Sequence, residues 1–327
     1  MQISTQDYVH GGTQKDFYTE QDVDQVACPL CSHDQSDLIY RERGHLGISR
    51  CKSCGLVFTN PRLKNPEQVY WGDSEKYFEE ARLIFLGKKG HHRDPNYLHD
   101  IGLIKKIKTT GKFVDVGSSM GFFLRHASKA GFDTLGVEPS PTLSKLAKEY
   151  FHLEIINTFL EKANIPLHSI DIITMTDVFE HIPNPSELLA AARNLLKTDG
   201  ILFIKVPNGK FSLLKLKLAR LLKKTGQYDL FDSYEHVVHY SFKSLAQMLE
   251  KNGFNVLARH IAPPIQLPVW HHYVGHYFQY PTPFGLDPKH IIIRRLFYWL
   301  AKLEFLLKFH RDSIFTQNIV IIARAKV

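Results

Sequence analysis

From Gly111 onward, apolar runs of strand length alternate with helical runs, and this alternation limits the folds available to the chain. The predicted strands are almost continuously apolar, as in residues 112–116, 170–175 and 201–206. Strands of this kind are buried on both faces, which happens when helices cover both sides of a parallel sheet. The sequence therefore predicts an α/β fold built on a doubly wound sheet.

A smaller unit ahead of this sheet is predicted by the four cysteines, the only ones in the chain. They form two Cys-x2-Cys pairs separated by nineteen residues: Cys28, Cys31, Cys51 and Cys54. This spacing is typical of a zinc ribbon, in which four thiolates surround one Zn2+. Two disulfides or four unrelated core cysteines are the alternative interpretation. Because thiols held as metal ligands suit the reducing cytosol, we expect a cytoplasmic protein.

These two units give a predicted domain organisation. Residues 1–62 comprise an N-terminal tail and the zinc ribbon, and residues 63–110 form a helical connector. Residues 111–327 form the α/β domain, with helical inserts at 209–240 and 261–316. The N-terminal stretch lacks the apolar segment of a signal peptide, and no apolar run reaches the roughly twenty residues of a membrane span.

Positive charge is concentrated in two windows, residues 205–228 and 288–311, in a chain whose formal net charge is +8. A localised basic surface suggests an anionic partner: a phosphate-bearing substrate, a membrane surface or nucleic acid. A solvated helix face is the alternative. Both windows contain predicted helices that could contact the inner face of a membrane. The predicted apolar face of the first helix comprises Phe211, Leu214, Leu218, Leu221 and Leu222.

The first strand of the α/β domain ends in a glycine turn that leads directly into a helix. Gly117 lets the backbone leave the strand sharply, and Gly121 allows close approach to the helix N-terminus, where free N–H groups favour an anion. Glu138 ends the next strand, where a carboxylate can accept hydrogen bonds from both hydroxyls of a ribose. An ordinary strand-to-helix turn is the alternative, but the second acid at this offset favours nucleotide binding.

Four segments in this order resemble the successive motifs of class I S-adenosylmethionine-dependent methyltransferases: 114–122, 136–140, 171–185 and 196–208. The subgroup with the strongest resemblance is that of the ubiquinone-biosynthesis methyltransferases. The resemblance implies a seven-stranded Rossmann-like sheet whose last strand is antiparallel, and S-adenosyl-L-methionine as the cofactor. It also implies a set of cofactor-binding residues: Asp115, Gly117, Ser119, Gly121, Glu138, Asp177 and Val178. Ser119 stands where many members of the family have a glycine.

Methyl transfer from a sulfonium needs an aligned acceptor and often a base, for which a histidine is suited. Two histidines are candidates: His181, just after the fourth strand, and His236, between the fifth strand and the next helix. Glu235 could orient His236. A surface or packing role is the alternative for each histidine. The cysteine unit together with Glu235-His236 also resembles deoxysugar C-methyltransferases, although Ser233 stands where that family has a tyrosine.

The predicted function is methyl transfer to a small or carrier-linked metabolite: a sugar nucleotide, a glycan intermediate or a quinone-like acceptor. A ribosomal RNA methyltransferase with a zinc ribbon is an alternative. However, the segment 176–180 lacks the Asn/Asp-Pro-Pro-aromatic run of amino-group methyltransferases, so we expect a small-molecule partner rather than nucleic acid. A non-catalytic cofactor-binding zinc protein is the third possibility. The sequence does not determine the oligomeric state.

Overall fold

The computed structural model describes residues 17–65, 81–91, 93–221, 229–264, 288–307 and 313–326, without the side chains of 288–295. The N-terminal part contains five short strands: β1 (Val23–Asp24), β2 (Ser36–Glu42), β3 (Leu46–Cys51), β4 (Val57–Thr59) and β5 (Arg62–Leu63). We call residues 17–65 the cysteine module.

The rest of the described chain alternates between helices and strands. The first half of this part comprises α1 (Asp94–Lys105), β6 (Lys112–Val116), α2 (Phe122–Lys129), β7 (Asp133–Val137), α3 (Pro141–Phe151), β8 (Ile155–Ile156), β9 (Ile170–Thr176) and α4 (Pro185–Leu195). The second half comprises β10 (Leu196–Pro207), α5 (Gly209–Leu221), β11 (Val238–His239), α6 (Phe242–Lys251), β12 (Phe254–Ile261), α7 (Pro288–Leu306) and β13 (Asn318–Ala325).

Seven of these strands form one sheet in the order β12-β13-β10-β9-β6-β7-β8. The five neighbouring strands β10, β9, β6, β7 and β8 pair with one another in parallel. Strand β13 is antiparallel to both β10 and β12. The strand order reverses between β6 and β9, and an open α/β sheet binds its ligand at the carboxyl ends of the strands at such a point. The predicted seven-stranded doubly wound sheet with an antiparallel last strand is confirmed.

The central strands are buried on both faces. Phe113 and Ile172 pack with residues of α1 and α2 on one side of the sheet. Their chain neighbours Val114 and Ile173 pack with residues of α4 and α6 on the other side. Because successive side chains of a strand point to opposite faces, both alternating positions must be apolar, which explains the continuous apolar runs in the sequence.

The cysteine module is joined to the α/β domain by a shared sheet. Strands β2, β3 and β4 form this second sheet together with β11, which comes from the segment between α5 and α6. Val238 pairs with Phe58, and His239 pairs with Val57, in antiparallel register. Leu56 and Phe58 also belong to the buried cluster that includes residues of α4 and α6. The module is therefore packed against the core of the larger domain.

The predicted helical connector is described in part. Residues 81–85 and α1 are helical, while residues 66–80 and 92 lie outside the described residues. The same holds for much of the predicted insert at 261–316, including its histidine-rich stretch at 270–280, because residues 265–287 and 308–312 are not described. The domain boundaries therefore stay a prediction.

Helix α5 turns a different face to the core from the one predicted. Leu216 and Ala219 are buried, whereas Leu221, which was expected on the apolar face, is 77% exposed. The reason is the surroundings of the helix: Leu216 and Ala219 pack in a cluster with Ile48 of the cysteine module and with Phe231. The tertiary partners, rather than the internal periodicity of the helix, select the buried face.

Helix α7 exposes a row of large apolar side chains: Leu296, Trp299, Leu303 and Leu306. On its other side, Phe297 contacts Phe211 of α5, with ring centroids 5.7 Å apart. Contact of the basic helices with a membrane stays a prediction. Within the described ranges, no helix combines the length and the apolar character that crossing a bilayer requires.

Candidate active site

The turn between β6 and α2 is built from residues with left-handed backbone conformations. Gly117 (φ +66°), Ser119 (φ +49°) and Gly121 (φ +79°) all lie in this region. A Cβ atom on Gly117 would lie 2.5 Å from Cγ2 of Val178, and one on Gly121 would lie 2.5 Å from Cδ1 of Leu153. Gly121 is thus required for packing behind the turn as well as for its backbone conformation. Ser119 is a non-glycine residue in the left-handed region, which L side chains adopt less readily than glycine does.

Glu138, at the end of β7, is held in place by the same turn. Its Oε2 accepts a hydrogen bond from the backbone N–H of Ser119 at 2.8 Å, and its Oε1 accepts one from Ser140 at 2.8 Å. Each carboxylate oxygen can accept more than one hydrogen bond, so these two backbone contacts do not by themselves prevent hydrogen bonds from a ribose. The carboxylate is therefore oriented before a ligand arrives, as the predicted ribose-binding role requires.

Asp115 lies beneath the turn. Its carboxylate accepts a 2.6 Å hydrogen bond from the Thr174 hydroxyl, and the residue is 2% exposed. Burial raises the pKa of Asp115 to about 7, with the charge of Glu138 adding to this and the Thr174 hydrogen bond opposing it. Its predicted contact with the methionine part of the cofactor stays a prediction. The buried hydroxyl of Ser118 has no hydrogen-bond partner among the described residues, which suits a turn that receives a polar ligand.

Asp177 ends β9 beside the crevice and forms an ion pair with Arg93, which precedes α1. Burial would raise the pKa of Asp177, but the charges of Arg93 and Lys205 outweigh it and hold that pKa below its usual value. Lys205 is itself buried and forms a 2.7 Å ion pair with Asp100 of α1. Sequence analysis missed Arg93, because no motif marks the loop that contains it.

The two candidate bases come together at this edge of the sheet. The ring planes of His181 and His236 are inclined at 65° to each other, and the ring centroids lie 4.7 Å apart. Nδ1 of His181 lies 3.1 Å from the carbonyl oxygen of Glu235, which can only accept, so this nitrogen carries a proton and Nε2 of a neutral ring does not. Burial lowers the pKa of His181 to about 3 and that of His236 to about 4. Both rings are therefore neutral near pH 7.

Glu235 is close to His236 but beyond hydrogen-bond distance, with Oε1 of Glu235 3.9 Å from Nε2 of His236. The Tyr234 hydroxyl donates a hydrogen bond to the same Oε1 at 3.2 Å. Burial, together with the charge of Asp232, raises the pKa of Glu235 to about 8. Glu235 is thus oriented by Tyr234, and its predicted orienting role toward His236 stays a prediction.

Glu180 is a buried acid that sequence analysis treated only as a neighbour of His181. Neither of its carboxylate oxygens has a hydrogen-bond partner among the described residues, and Oε1 lies 3.8 Å from Nε2 of His181. Burial and the charge of Asp177 raise the pKa of Glu180. A protonated carboxyl at this position is a hydrogen-bond donor next to the candidate bases.

The four cysteines converge as their spacing predicts. Sγ of Cys28 lies 3.5 Å from Sγ of Cys54, and Sγ of Cys31 lies 3.5 Å from Sγ of Cys51. All four thiols are free, and their sulfur atoms lie within 4.8 Å of one another. Each close contact joins one Cys-x2-Cys pair to the other, so the two turns face each other as they would around a shared ion.

The family is established by its sequence profile. The profile described as "Methyltransferase domain" matches residues 90–259, just over half of the chain. The chain belongs to this methyltransferase family. The turn between β6 and α2 that contains Gly117 and Gly121 is called the cofactor turn below. Family membership and the fold together identify an S-adenosylmethionine-dependent methyltransferase, as the motifs predicted.

Relatives of known name point to two kinds of acceptor atom. The ubiquinone biosynthesis O-methyltransferase of Pasteurella multocida is 24% identical over 187 residues, which cover 50% of this chain and 77% of the relative. The enzyme of the same name from Glaesserella parasuis is 31% identical over 146 residues, covering 40% of this chain and 62% of the relative. The C-methyltransferase NovU of Streptomyces niveus is 29% identical over 153 residues, covering 46% of this chain and 34% of NovU.

Solved structures support the fold. A chain in the complex between the Haloferax volcanii Trm112 methyltransferase activator and a methyltransferase aligns with a TM-score of 0.50 at 13% identity. The alignment covers 78% of this chain and 100% of that chain. At this identity the likeness concerns the fold alone.

Proposed function

We propose that this methyltransferase acts on a small or carrier-linked metabolite, and that His236 or His181 accepts the proton of the acceptor. One observation carries the proposal. Val178 packs beside the Gly117 turn and begins the short helical turn that ends at His181, whose ring contacts His236. The cofactor turn and the two neutral histidines are thus connected through four consecutive residues, so a methyl donor and a base can reach the same acceptor.

The residues of the turn fit S-adenosylmethionine. Glu138, whose carboxylate is oriented by the backbone N–H groups of Ser119 and Ser140, would accept hydrogen bonds from the ribose hydroxyls. The Ser118 hydroxyl, which has no other hydrogen-bond partner among the described residues, would contribute a polar contact in the same turn. Asp177, kept ionised by Arg93 and Lys205, would lie beside the positively charged sulfonium, as the family resemblance implies. When bound, S-adenosylmethionine supplies an electrophilic methyl group.

The chain's own residues would then align the acceptor and move its proton. The acceptor's proton passes to a ring nitrogen of a neutral histidine, either His236 or His181. Because burial keeps both rings neutral, the base needs no prior deprotonation near pH 7.

The names of the relatives support a metabolite acceptor, with oxygen or carbon as the methylated atom. The experiment incubates the purified full chain with methyl-labelled S-adenosylmethionine and separate pools of nucleotide sugars, lipid-soluble quinone precursors, glycan intermediates and RNA. We expect label in one of the metabolite pools. Label in RNA alone would overturn the proposed acceptor class.

Substitution of the two histidines tests the base. His236→Asn and His181→Asn keep a polar side chain but remove the basic nitrogen, so at least one of them should lower kcat by roughly 100-fold or more. S-adenosylmethionine affinity measured by calorimetry should stay within about twofold. His168→Asn is the matched control, since His168 is exposed and precedes β9 at the opposite end of the sheet. Wild-type kcat in both active-site variants would exclude these bases.

We also propose that the four cysteines bind one Zn2+. A tetrahedral shell with Zn–S bonds of about 2.3 Å places sulfur atoms roughly 3.8 Å apart, close to the contacts between the two pairs. The arrangement of four free thiols from two facing turns supports a closed structural site. Such a site would stabilise the module without contacting the acceptor.

Metal content tests this proposal. Elemental analysis of the purified chain should find one zinc per chain, and Cys31→Ser should lower that value by more than half. Ser53→Ala, within the second Cys-x2-Cys turn, is the control and should retain the metal. A metal-free wild-type chain purified under reducing conditions without chelator would contradict the proposal.

A further inference from the structure

The cysteine module holds the segment that carries Glu235 and His236. Besides the β4–β11 pairing, the backbone N–H of Thr59 donates to the carbonyl of Val237 at 3.0 Å. The Thr59 hydroxyl donates to the carbonyl of His236 at 2.7 Å. Thr59 is completely buried, so these contacts are shielded from water. The backbone of the candidate base is therefore anchored by a residue about 180 positions earlier in the chain.

A second anchor is the carboxylate of Glu42, at the end of β2. Its Oε1 accepts hydrogen bonds from the backbone N–H groups of Leu230 at 2.7 Å and Phe231 at 2.8 Å. Its Oε2 accepts one from Ser233 at 2.9 Å. Residues 229–236 have no regular secondary structure, so these buried N–H groups depend on a side chain for a partner.

The neighbouring Arg43 adds a third anchor. Its guanidinium donates to Asp229 through Nε at 2.8 Å and through its second terminal nitrogen at 2.7 Å. It also stacks on the ring of Tyr234, 3.8 Å from the ring centre. The Tyr234 hydroxyl in turn donates to Glu235. Planar, two-point contacts of this kind fix orientation as well as position.

We propose that Glu42 is a positioning residue for methyl transfer: through three backbone hydrogen bonds it shapes residues 229–236 and thereby holds His236 against His181. This inference rests on the proposed function. Glu42 has no contact with the cofactor turn or with either candidate base among the contacts described above. It acts by satisfying the backbone of the segment that carries one of them, and the cysteine module is in this way part of the active-site scaffold.

The decisive variant is Glu42→Gln. A glutamine keeps one oxygen acceptor for Leu230 and Phe231, but its NH2 group would face the N–H of Ser233, donor against donor. The matched control is Asp37→Asn, in the same strand, because the Asp37 side chain is largely exposed and pairs only loosely with Lys52 at 3.4 Å.

Two measurements separate positioning from a general loss of stability. The first is hydrogen exchange followed by mass spectrometry on peptides that cover residues 229–239 and, for comparison, β6 and β10. The second is a kinetic comparison of kcat with the affinity for S-adenosylmethionine. For Glu42→Gln we expect at least tenfold faster exchange in 229–239, unchanged exchange in β6 and β10, at least tenfold lower kcat and cofactor affinity within about twofold.

Several outcomes would overturn the inference. Unchanged exchange in 229–239 would show that Glu42 does not shape the segment. Equal acceleration in β6 and β10, with cofactor affinity falling in parallel with kcat, would show a merely structural role. If Glu42→Gln does not fold, Thr59→Val replaces it, since valine removes the hydroxyl that bonds the His236 carbonyl and lies 3.2 Å from Nε2 of His239. The same exchange pattern, with a smaller fall in kcat, is then expected, and wild-type exchange and kcat would overturn the inference.

Failure of the proposed base can be distinguished from failure of this inference. If His236→Asn and His181→Asn both keep wild-type kcat, the base assignment is wrong, yet exchange in Glu42→Gln still reports on the segment. If the histidine variants lose kcat while Glu42→Gln changes neither exchange nor kcat, the base assignment stands and the positioning role is wrong.

Discussion

At the scale of single residues, the candidate site is a set of titratable groups whose charges are decided by burial. Burial lowers the pKa of His181 and His236 and raises that of Glu180 and Glu235. Asp177 differs because Arg93 and Lys205 keep it ionised. The ionised Asp177 thus lies close to two histidines that are neutral near pH 7. That combination suits a site that holds a cation and accepts a proton.

The lowered pKa of His236 has a consequence for the pH dependence of turnover. A base acts in its neutral form, which predominates above its pKa, so kcat should be full above about pH 5 and should fall as pH drops through about 4. A histidine with an ordinary pKa near 6.5 would lose about thirtyfold in neutral fraction between neutral pH and pH 5. Stopped assays should instead find kcat at pH 5 and pH 7 within about twofold. A fall centred near pH 6.5 would contradict this prediction.

The ribose assignment of Glu138 gives a second residue-scale prediction. Glu138→Gln replaces one acceptor oxygen by a donor group and loses the charge, which should weaken S-adenosylmethionine binding at least tenfold, or about 1.4 kcal/mol. Calorimetric titration measures the effect. Glu154→Gln, an exposed acid just before β8, should bind as the wild type does. Unchanged affinity in Glu138→Gln would exclude the ribose role.

At the scale of elements, the β6–α2 connection leaves little steric freedom at its two glycines. Its left-handed residues bring Val178 against one side of the turn and Leu153 against the other. The position of the turn is consequently fixed by packing against Val178, which follows β9, and against Leu153, which precedes β8. At both Gly117 and Gly121, a left-handed backbone conformation coincides with a close neighbour that a Cβ atom would meet.

Gly121→Ala should therefore be destabilising. Its Cβ would lie 2.5 Å from Leu153 Cδ1 in a left-handed conformation. Strain and overpacking together should lower the free energy of unfolding by about 2–4 kcal/mol. Gly102→Ala in α1 is the matched control, because a Cβ there meets nothing within 4 Å, and it should raise stability by about 0.5–1 kcal/mol. Urea denaturation of both variants measures the free energy of unfolding. An equal change in that free energy for the two variants would contradict the prediction.

At the scale of the whole molecule, the cysteine module and the α/β domain share one hydrophobic core. They also share the four-stranded sheet that β11 completes. Phe58 is buried among residues of both parts, and β11 completes the module's sheet from within the larger domain. Loss of packing at this boundary should therefore affect both parts together. The module is better described as an extension of the methyltransferase domain than as an independently folding domain.

Phe58→Ala tests this cooperativity. Removing the ring leaves a cavity between the two parts and should cost about 3–5 kcal/mol of stability. Hydrogen exchange should speed up in peptides of both β3 and β10, since the two parts are expected to unfold as one unit. Leu38→Ala is the control, because Leu38 is 47% exposed in β2; its cost should stay below about 1 kcal/mol. Faster exchange confined to β3 would contradict the prediction.

Features that depend on local sequence were predicted well. The apolar runs predicted the parallel strands, because a strand buried on both faces must be apolar at every position. The glycine turn, Glu138 and the four cysteines were recognised because their spacing along the chain matches the geometry of a turn or a metal shell. Strand limits were less accurate: β10 begins at Leu196, five residues before the predicted start, because it pairs with β9 there through Ile170.

The sequence by itself determined the class of fold, the cofactor turn and the convergence of the cysteines, since each follows from periodicity or short spacing. Only the tertiary structure decided that Glu42 binds residues 230–233, that β11 joins the cysteine module and that Arg93 pairs with Asp177. These contacts join residues far apart in the chain. No local pattern encodes them, because their existence depends on which buried polar groups the packed core leaves in need of a partner.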